Sequence, residues 1–200
     1  MTAKTLDVAG TLIRPGDSEY EAARQIWNGA IDRRPAMIVR CRSGADAAAA
    51  LRHAQEHSLP LAIRGGGHNV AGSALCDGGV VIDFSEMRRV EIDPERKTAR
   101  VEPGALWGDL DAAAQADGLA TPAGIVTHTG VAGLTLGGGF GWLSRQWGLT
   151  VDNLLSVQVL LADGSRVRAA SDENDDLFWA VRGGGGNFGM SPNSNSSSMP

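Results

Sequence analysis

Cysteine, lysine and tyrosine are nearly missing from these 200 residues: there are two cysteines, Cys41 and Cys76, two lysines, Lys4 and Lys97, and one tyrosine, Tyr20. Two cysteines so far apart make neither a disulfide framework nor a paired metal-ligand spacing. Sixteen arginines form no basic run, and the net charge is −5 with an isoelectric point near 5.3. That balance excludes the electrostatic footprint of a nucleic-acid partner or of an anionic membrane surface. No apolar run approaches the roughly 18 residues of a membrane span, and no apolar stretch follows a basic segment as in a secretory signal. These absences predict a soluble, reduced, cytoplasmic protein.

What the sequence has in excess is glycine, 27 of 200 residues, against a usual share of roughly 7%. The excess is clustered. Residues 65–67 are all glycine, six of the twelve residues 130–141 are glycine, and residues 183–186 form a run of four. Each ordered glycine costs roughly 0.5–1 kcal/mol relative to alanine, so six in one segment consume a large part of a domain's typical stability of about 5–15 kcal/mol. Strand-like segments flank the first two clusters, which a flexible linker would lack. Close approach of backbone to a ligand is the usual reason for such a cost.

A pass along the chain places the clusters. AMIVRC (36–41) predicts a strand, and Ser43 an N-cap for a helix over about 44–57, with Ala47, Ala50, Leu51 and Ala54 on one face. LPLAIR (59–64) and VVIDF (80–84) predict two more strands, and this order suits a βαβ unit with parallel pairing. The triple glycine then leaves the C-terminal end of a strand. A second lobe is predicted from about residue 97, with TARVEPG as a strand and LWGDLDAAAQADG as a helix that presents Leu106, Leu110 and Ala113 and stops at Gly118. Asp163-Gly164 predicts a tight hairpin inside LLSVQVLLADGSRVRAAS, and a short helix is predicted around 175–181. The closing SPNSNSSSMP has nothing to bury and predicts a disordered tail over 190–200.

Familiar phosphate and catalytic motifs fail residue by residue. Neither lysine follows a glycine, as a Walker loop requires, and a dinucleotide fingerprint begun at Gly65 would need glycine where Val70 stands. There is no G-x-S-x-G, and His53 and His57 have Ala54 where a zincin needs glutamate, so they predict a solvated helix edge. His68, Cys76 and His128 have no ligand spacing that points to a metal. What survives is a concavity of successive backbone N–H groups that binds an anion, with Arg64 as a nearby positive charge. A diphosphate suits it.

Four motifs in order, AIRGGGHNVAGSALCDGGVVIDFSEM, VEPGALWGDL, GVAGLTLGGGFGWLSRQWGLTVDNLLSVQVLLADGS and DLFWAVRGGGGNFG, resemble the flavin oxidases with a vanillyl-alcohol-oxidase-type (PCMH-type) FAD domain, in the berberine-bridge-enzyme-like branch. The resemblance runs from about 35 to 189. It implies an α+β fold in which an N-terminal extension (1–34) precedes an FAD-binding domain (35–189) of two α/β lobes, about 35–96 and 97–189. By the same resemblance, residues Arg64, Gly65, Gly66, Gly67, His68 and Asn69, with Gly72 beyond them, wrap the FAD pyrophosphate, and His68 is bonded covalently to the flavin. Thr129, Gly130, Gly133, Gly137 and Gly138 approach the diphosphate or the ring, with Asn153 nearby, and His128 is as well suited to a structural place. Many members carry a second link through a cysteine where this chain has Val126, so attachment through His68 alone is expected, with Cys76 as a buried small apolar residue.

The implied activity is oxidation of an alcohol, sugar or similar C–H donor by hydride transfer to FAD, with reoxidation by dioxygen. No catalytic base is assigned, because family members place theirs, often a tyrosine, in a region this chain does not match. The sequence stops just after NFG, where relatives continue into a substrate domain, so the chain reads as the FAD-binding portion alone. Its partners are then FAD and a small-molecule substrate bound with a completing domain, and apolar surface is expected near Trp142, Trp147 and Phe188. The alternative is a non-catalytic remnant or interaction module with weak FAD binding or none.

Overall fold

The computed structural model describes residues 6–197 and divides into two units, Met1–Met87 and Arg88–Pro200. In the first unit, strand β1 (Thr11–Ile13) and a one-turn helix α1 (Tyr20–Ala23) precede β2 (Met37–Arg40), α2 (Gly44–Glu56), β3 (Leu61–Arg64) and β4 (Val80–Asp83). The sheet order is β1-β2-β4-β3, with β2 and β3 both parallel to β4 and β1 antiparallel to β2. All four residues of β4 are buried, as expected for the middle strand of a parallel sheet covered on both faces.

Helix α2 starts where its sequence predicts. Ser43 is extended, its hydroxyl accepts from the Asp46 N–H, and the Asp46 carboxylate accepts from the Ser43 N–H at 3.1 Å, which closes a capping box. Asp46 also accepts from Ala9 N and Arg42 N, both at 2.9 Å. Burial works to raise its pKa, but these donors prevail and hold the carboxyl below its usual range. The predicted face, Ala47, Ala50, Leu51 and Ala54, is buried.

Residues 6–34, within the stretch that the sequence sets apart as an extension, pack into this unit: Ile13, Tyr20 and Ala23 share a core cluster with Ile38, Ala62, Leu75 and Val81. Tyr20 donates its hydroxyl to Pro35 O at 2.7 Å. The boundary between units, at Met87 and Arg88, also lies before residue 97, because β5 (Val90–Asp93) pairs with β6 (Thr98–Val101) and so belongs to the second unit.

The second unit continues with α3 (Trp107–Gln115), α4 (Val131–Leu136), α5 (Ser144–Trp147), a 3-10 turn at Thr150–Asn153, β7 (Leu154–Leu160), β8 (Arg166–Ala170), α6 (Asp175–Gly184), a second 3-10 turn at Gly185–Phe188 and β9 (Met190–Ser197). The sheet order is β5-β6-β9-β7-β8, antiparallel throughout. The β7–β8 hairpin turns through Asp163-Gly164, with Gly164 at φ +83° and Leu161 N donating to Ser165 O at 2.9 Å. The regular part of α6 ends at Val181, since Arg182 and Gly183 leave helical geometry.

Two expectations are corrected. Helix α3 buries Trp107, Leu110 and Ala114; of the expected face Leu110 is buried while Leu106 and Ala113 are half-buried, because Leu106 is the extended residue before the first turn and the core stripe is counted from Trp107. Residues 190–197, predicted as disordered, form β9 between β6 and β7. Strand pairing is a backbone transaction that needs no apolar side chain, and two neighbouring strands offer unpaired edges on both sides. The rest of the predicted tail, 198–200, lies outside the described residues. Among the described residues no helix is long and apolar enough to cross a membrane.

Candidate functional site

The first glycine cluster is a bend that leaves β3 at the edge where β2 and β3 both stand opposite Asp83 in register. Ligand loops in α/β sheets occupy this C-terminal strand edge. Gly67 is buried at φ +70°, a conformation that favours glycine, and Gly65 and Gly66 are half-buried. Beyond it, Asn69 accepts from both Ser73 N (3.0 Å) and Ser73 Oγ (2.7 Å), and its carbonyl accepts from Gly72 N. Gly72, at φ +77°, has the Ile31 side chain so near that a Cβ would come within 2.8 Å of it. Gly72 therefore shapes the loop by packing.

The loop is tied down from outside. Arg64 donates to Ala23 O at 2.5 Å, Trp27 N donates to Gly67 O at 3.1 Å, and Asn28 Nδ2 donates to Val70 O at 2.8 Å. Arg33 donates to both Gly72 O and Leu75 O, at 2.9 and 2.8 Å. All four donors or acceptors outside the loop lie in residues 23–33, which sequence reasoning missed as part of the site. Nothing in a short stretch of mixed polar and apolar residues distinguishes them from an ordinary loop. The Arg64 guanidinium is a fixed charge as expected, but one of its nitrogens is committed to the Ala23 carbonyl and its Nε is buried without a hydrogen-bond partner. His68 is half-buried, and the Trp27 indole stacks on its imidazole with ring centroids 5.4 Å apart and planes 22° from parallel.

The second cluster contains a helix that its glycines concealed. Gly130 is the extended residue before α4, Gly133 lies within it and Gly137 ends it. The preceding residues run beside the start of α3: Trp107 N donates to Thr129 O at 3.0 Å, Gly108 N to Thr127 O at 2.8 Å, and Leu106 bridges Gly130. Thr129 is half-buried and His128 exposed.

These glycines fall into two classes. A Cβ at Gly139 would collide with Leu134 and Thr150, and one at Gly141 with the Ala123 carbonyl oxygen, so packing inside the unit requires both. Gly133 and Gly138 face open space; Gly138 is explained by its φ of +108°, but Gly133 is an exposed helical residue with nothing near. A helical glycine costs roughly 1 kcal/mol against alanine, and nothing within the unit accounts for that at Gly133. Bare backbone there suits the approach of a bound group. Asn153, by contrast, is buried and spends its amide on Trp147 O (3.0 Å) and Leu149 O (2.9 Å), which makes it a support for the adjoining loop.

Neither thiol is set up as a nucleophile. Cys41 is fully buried, and burial with Asp46 and Asp83 nearby pushes it up to about 12; Cys76 is raised as well, chiefly by burial. Cys76 is half-buried, not fully buried as expected. Val126 is exposed on the turn whose carbonyl accepts from Thr129 N. Among the described residues, no cluster of histidine, cysteine and carboxylates could hold a metal. Trp142 is 85% exposed and Phe140 72%, with Phe188 also exposed, while Trp147 is half-buried.

Comparison with known proteins gives this geometry a family. Residues 35–170 match the FAD binding domain family. The (R)-6-hydroxynicotine oxidase of Paenarthrobacter nicotinovorans is 40% identical over 94% of this chain and 41% of its own length. The structure of the berberine-bridge-enzyme-like 1 protein of Physcomitrella patens superposes with a TM-score of 0.92 at 33% identity, over 96% of this chain and 42% of its own. That of the glucooligosaccharide oxidase of Acremonium strictum, which carries a 6-S-cysteinyl, 8α-N1-histidyl FAD, superposes with a TM-score of 0.89 at 30% identity, over 95% of this chain and 40% of its own. The chain thus spans about two fifths of the length of the relatives it matches, and it covers their FAD-binding portion.

Proposed function

Because the chain belongs to the family of FAD binding domains, we propose that it carries FAD bound covalently through His68, as the cofactor-bearing part of an oxidoreductase acting on an alcohol, sugar or similar C–H donor. The observation that carries this reading is a half-exposed imidazole on a loop whose backbone is pinned at several points by residues 23–33. An imidazole so placed is a held nucleophile. When bound, FAD supplies the hydride acceptor and passes the electrons on to dioxygen.

The chain's own residues do the holding. In this reading the backbone of residues 64–69 wraps the diphosphate, with the Arg64 guanidinium as the fixed positive charge beside it. Thr129, Gly130, Gly133, Gly137 and Gly138 let backbone come close to the diphosphate or the ring, and Asn153 keeps the 147–149 segment in place. His68 would hold the flavin through a C–N bond from its imidazole to the 8-methyl carbon, and dioxygen would take up the two hydrogens and two electrons released, as hydrogen peroxide. Val126 and the two protonated thiols leave His68 as the single point of attachment. The small-molecule substrate meets the flavin with the help of residues that the longer relatives carry and this chain does not match.

The test is to incubate the cofactor-free chain with FAD, precipitate it in acid and read flavin fluorescence in the pellet. Acid-stable flavin in the wild type, with one peroxide formed per flavin and neither in His68→Ala, is the expected result. A pellet without flavin, from a chain that takes up no FAD, would overturn the reading in favour of a remnant or interaction module.

A further inference from the structure

Trp27 is an aromatic side chain kept 61% exposed, in a segment whose other large apolar residues, Ile26 and Ile31, pack against the first unit's core. Its indole meets the His68 imidazole nearly face to face. The stack is set by the backbone, since the Trp27 N–H is bonded to the carbonyl of Gly67, the residue just before His68. On the other side of the pair, Asn28 holds the carbonyl of Val70. Residues 27 and 28 thus bracket His68 through its neighbours.

This arrangement matters because the torsion that turns an imidazole about its bond to Cβ is broad, so a neighbour on the ring's face helps to set its plane. The lone pair that forms a bond lies in the ring plane, at its edge. A partner laid on the face fixes the plane and leaves the edge open. Offset stacking of aromatic rings is a favoured geometry in its own right.

We propose that Trp27 is a positioning residue for His68, its indole setting the plane of the imidazole so that the ring edge is directed for C–N bond formation. This rests on the reading that His68 is the point of flavin attachment, a bond in which one flavin methyl hydrogen and the imidazole N–H hydrogen are lost to dioxygen.

The full chain, free of cofactor and carrying isotope-labelled histidine, provides the first readout. It has four histidines, and the His68 ring signals are those missing from His68→Ala. They should be displaced by the indole ring current in the wild type, partly displaced in Trp27→Phe and undisplaced in Trp27→Leu. The second readout is the time course of acid-stable flavin. Trp27→Leu should attach about two- to tenfold more slowly, the range an aromatic pair is worth, and Trp27→Phe should return most of the rate. A role in packing alone would be served by leucine, which is apolar and of fair size. Equal attachment by Trp27→Leu and wild type, or His68 signals that do not respond to residue 27, would therefore overturn the proposal. If the ring signals respond but the wild type never retains flavin in acid, the covalent reading fails and the proposal with it, although the stack itself is real; if the wild type retains flavin and only the Trp27 arms fail, the proposal alone falls.

Discussion

The two glycine-rich loops are built on opposite plans. The loop of the first unit is short and held by donors and acceptors from a distant stretch of sequence, residues 23–33, while its own glycines supply turns. The second unit's segment holds itself: Gly139 and Gly141 nest against Leu134, Thr150 and Ala123, and Asn153 ties down residues 147–149. A loop pinned from outside can keep a side chain such as His68 at its tip, because every pin but the Arg64 side chain holds loop backbone. A self-packed loop presents backbone instead, which explains why the one carries His68 and the other is nearly bare of reactive groups.

The sharpest way to break this contrast is Gly141→Ala. The new methyl group has no room against the Ala123 carbonyl, a backbone atom that cannot swing aside, and a loss of roughly 3 kcal/mol is expected in urea unfolding. Arg33→Ala comes next. It removes both donors to Gly72 and Leu75 without altering the loop, so a loss of about 2 kcal/mol is expected, together with slower flavin attachment at His68. If attachment keeps its rate while stability falls, the external pins serve only the fold. The smallest effect has the opposite sign: Gly133→Ala should raise stability by about 0.5–1 kcal/mol, since the position is helical and open. FAD uptake measured on the same protein should fall, and a variant both more stable and equally able to bind FAD would remove Gly133 from the cofactor's surroundings.

Much of the first unit was legible because its signals are local. Ser43 and Asp46 mark a helix start three residues apart, and β2 and β4 each open on three consecutive apolar residues, as strands buried in a parallel sheet do. In the second unit the same rules misread α4, since glycines at 130, 133 and 137 look like loop whether they bound a helix or interrupt one. They also misread β9, whose place between β6 and β7 depends on two edges contributed by segments far earlier in the chain. The one-residue shift in the buried stripe of α3 arises from where its first turn begins, which is set by pairing of the 127–130 segment with Leu106, Trp107 and Gly108.

Sequence by itself determined the family, the order of the strands and helices that carry apolar periodicity, and the histidine at the first glycine bend, because each of these is written in short motifs whose residues lie within a few positions of one another. Tertiary structure alone decided which glycines are spent on packing and which are left open, that residues 23–33 brace the His68 loop, and that Trp27 lies on the imidazole. Those facts depend on which distant atoms come within a few ångströms, and spacing along the chain does not encode that distance until the chain has folded.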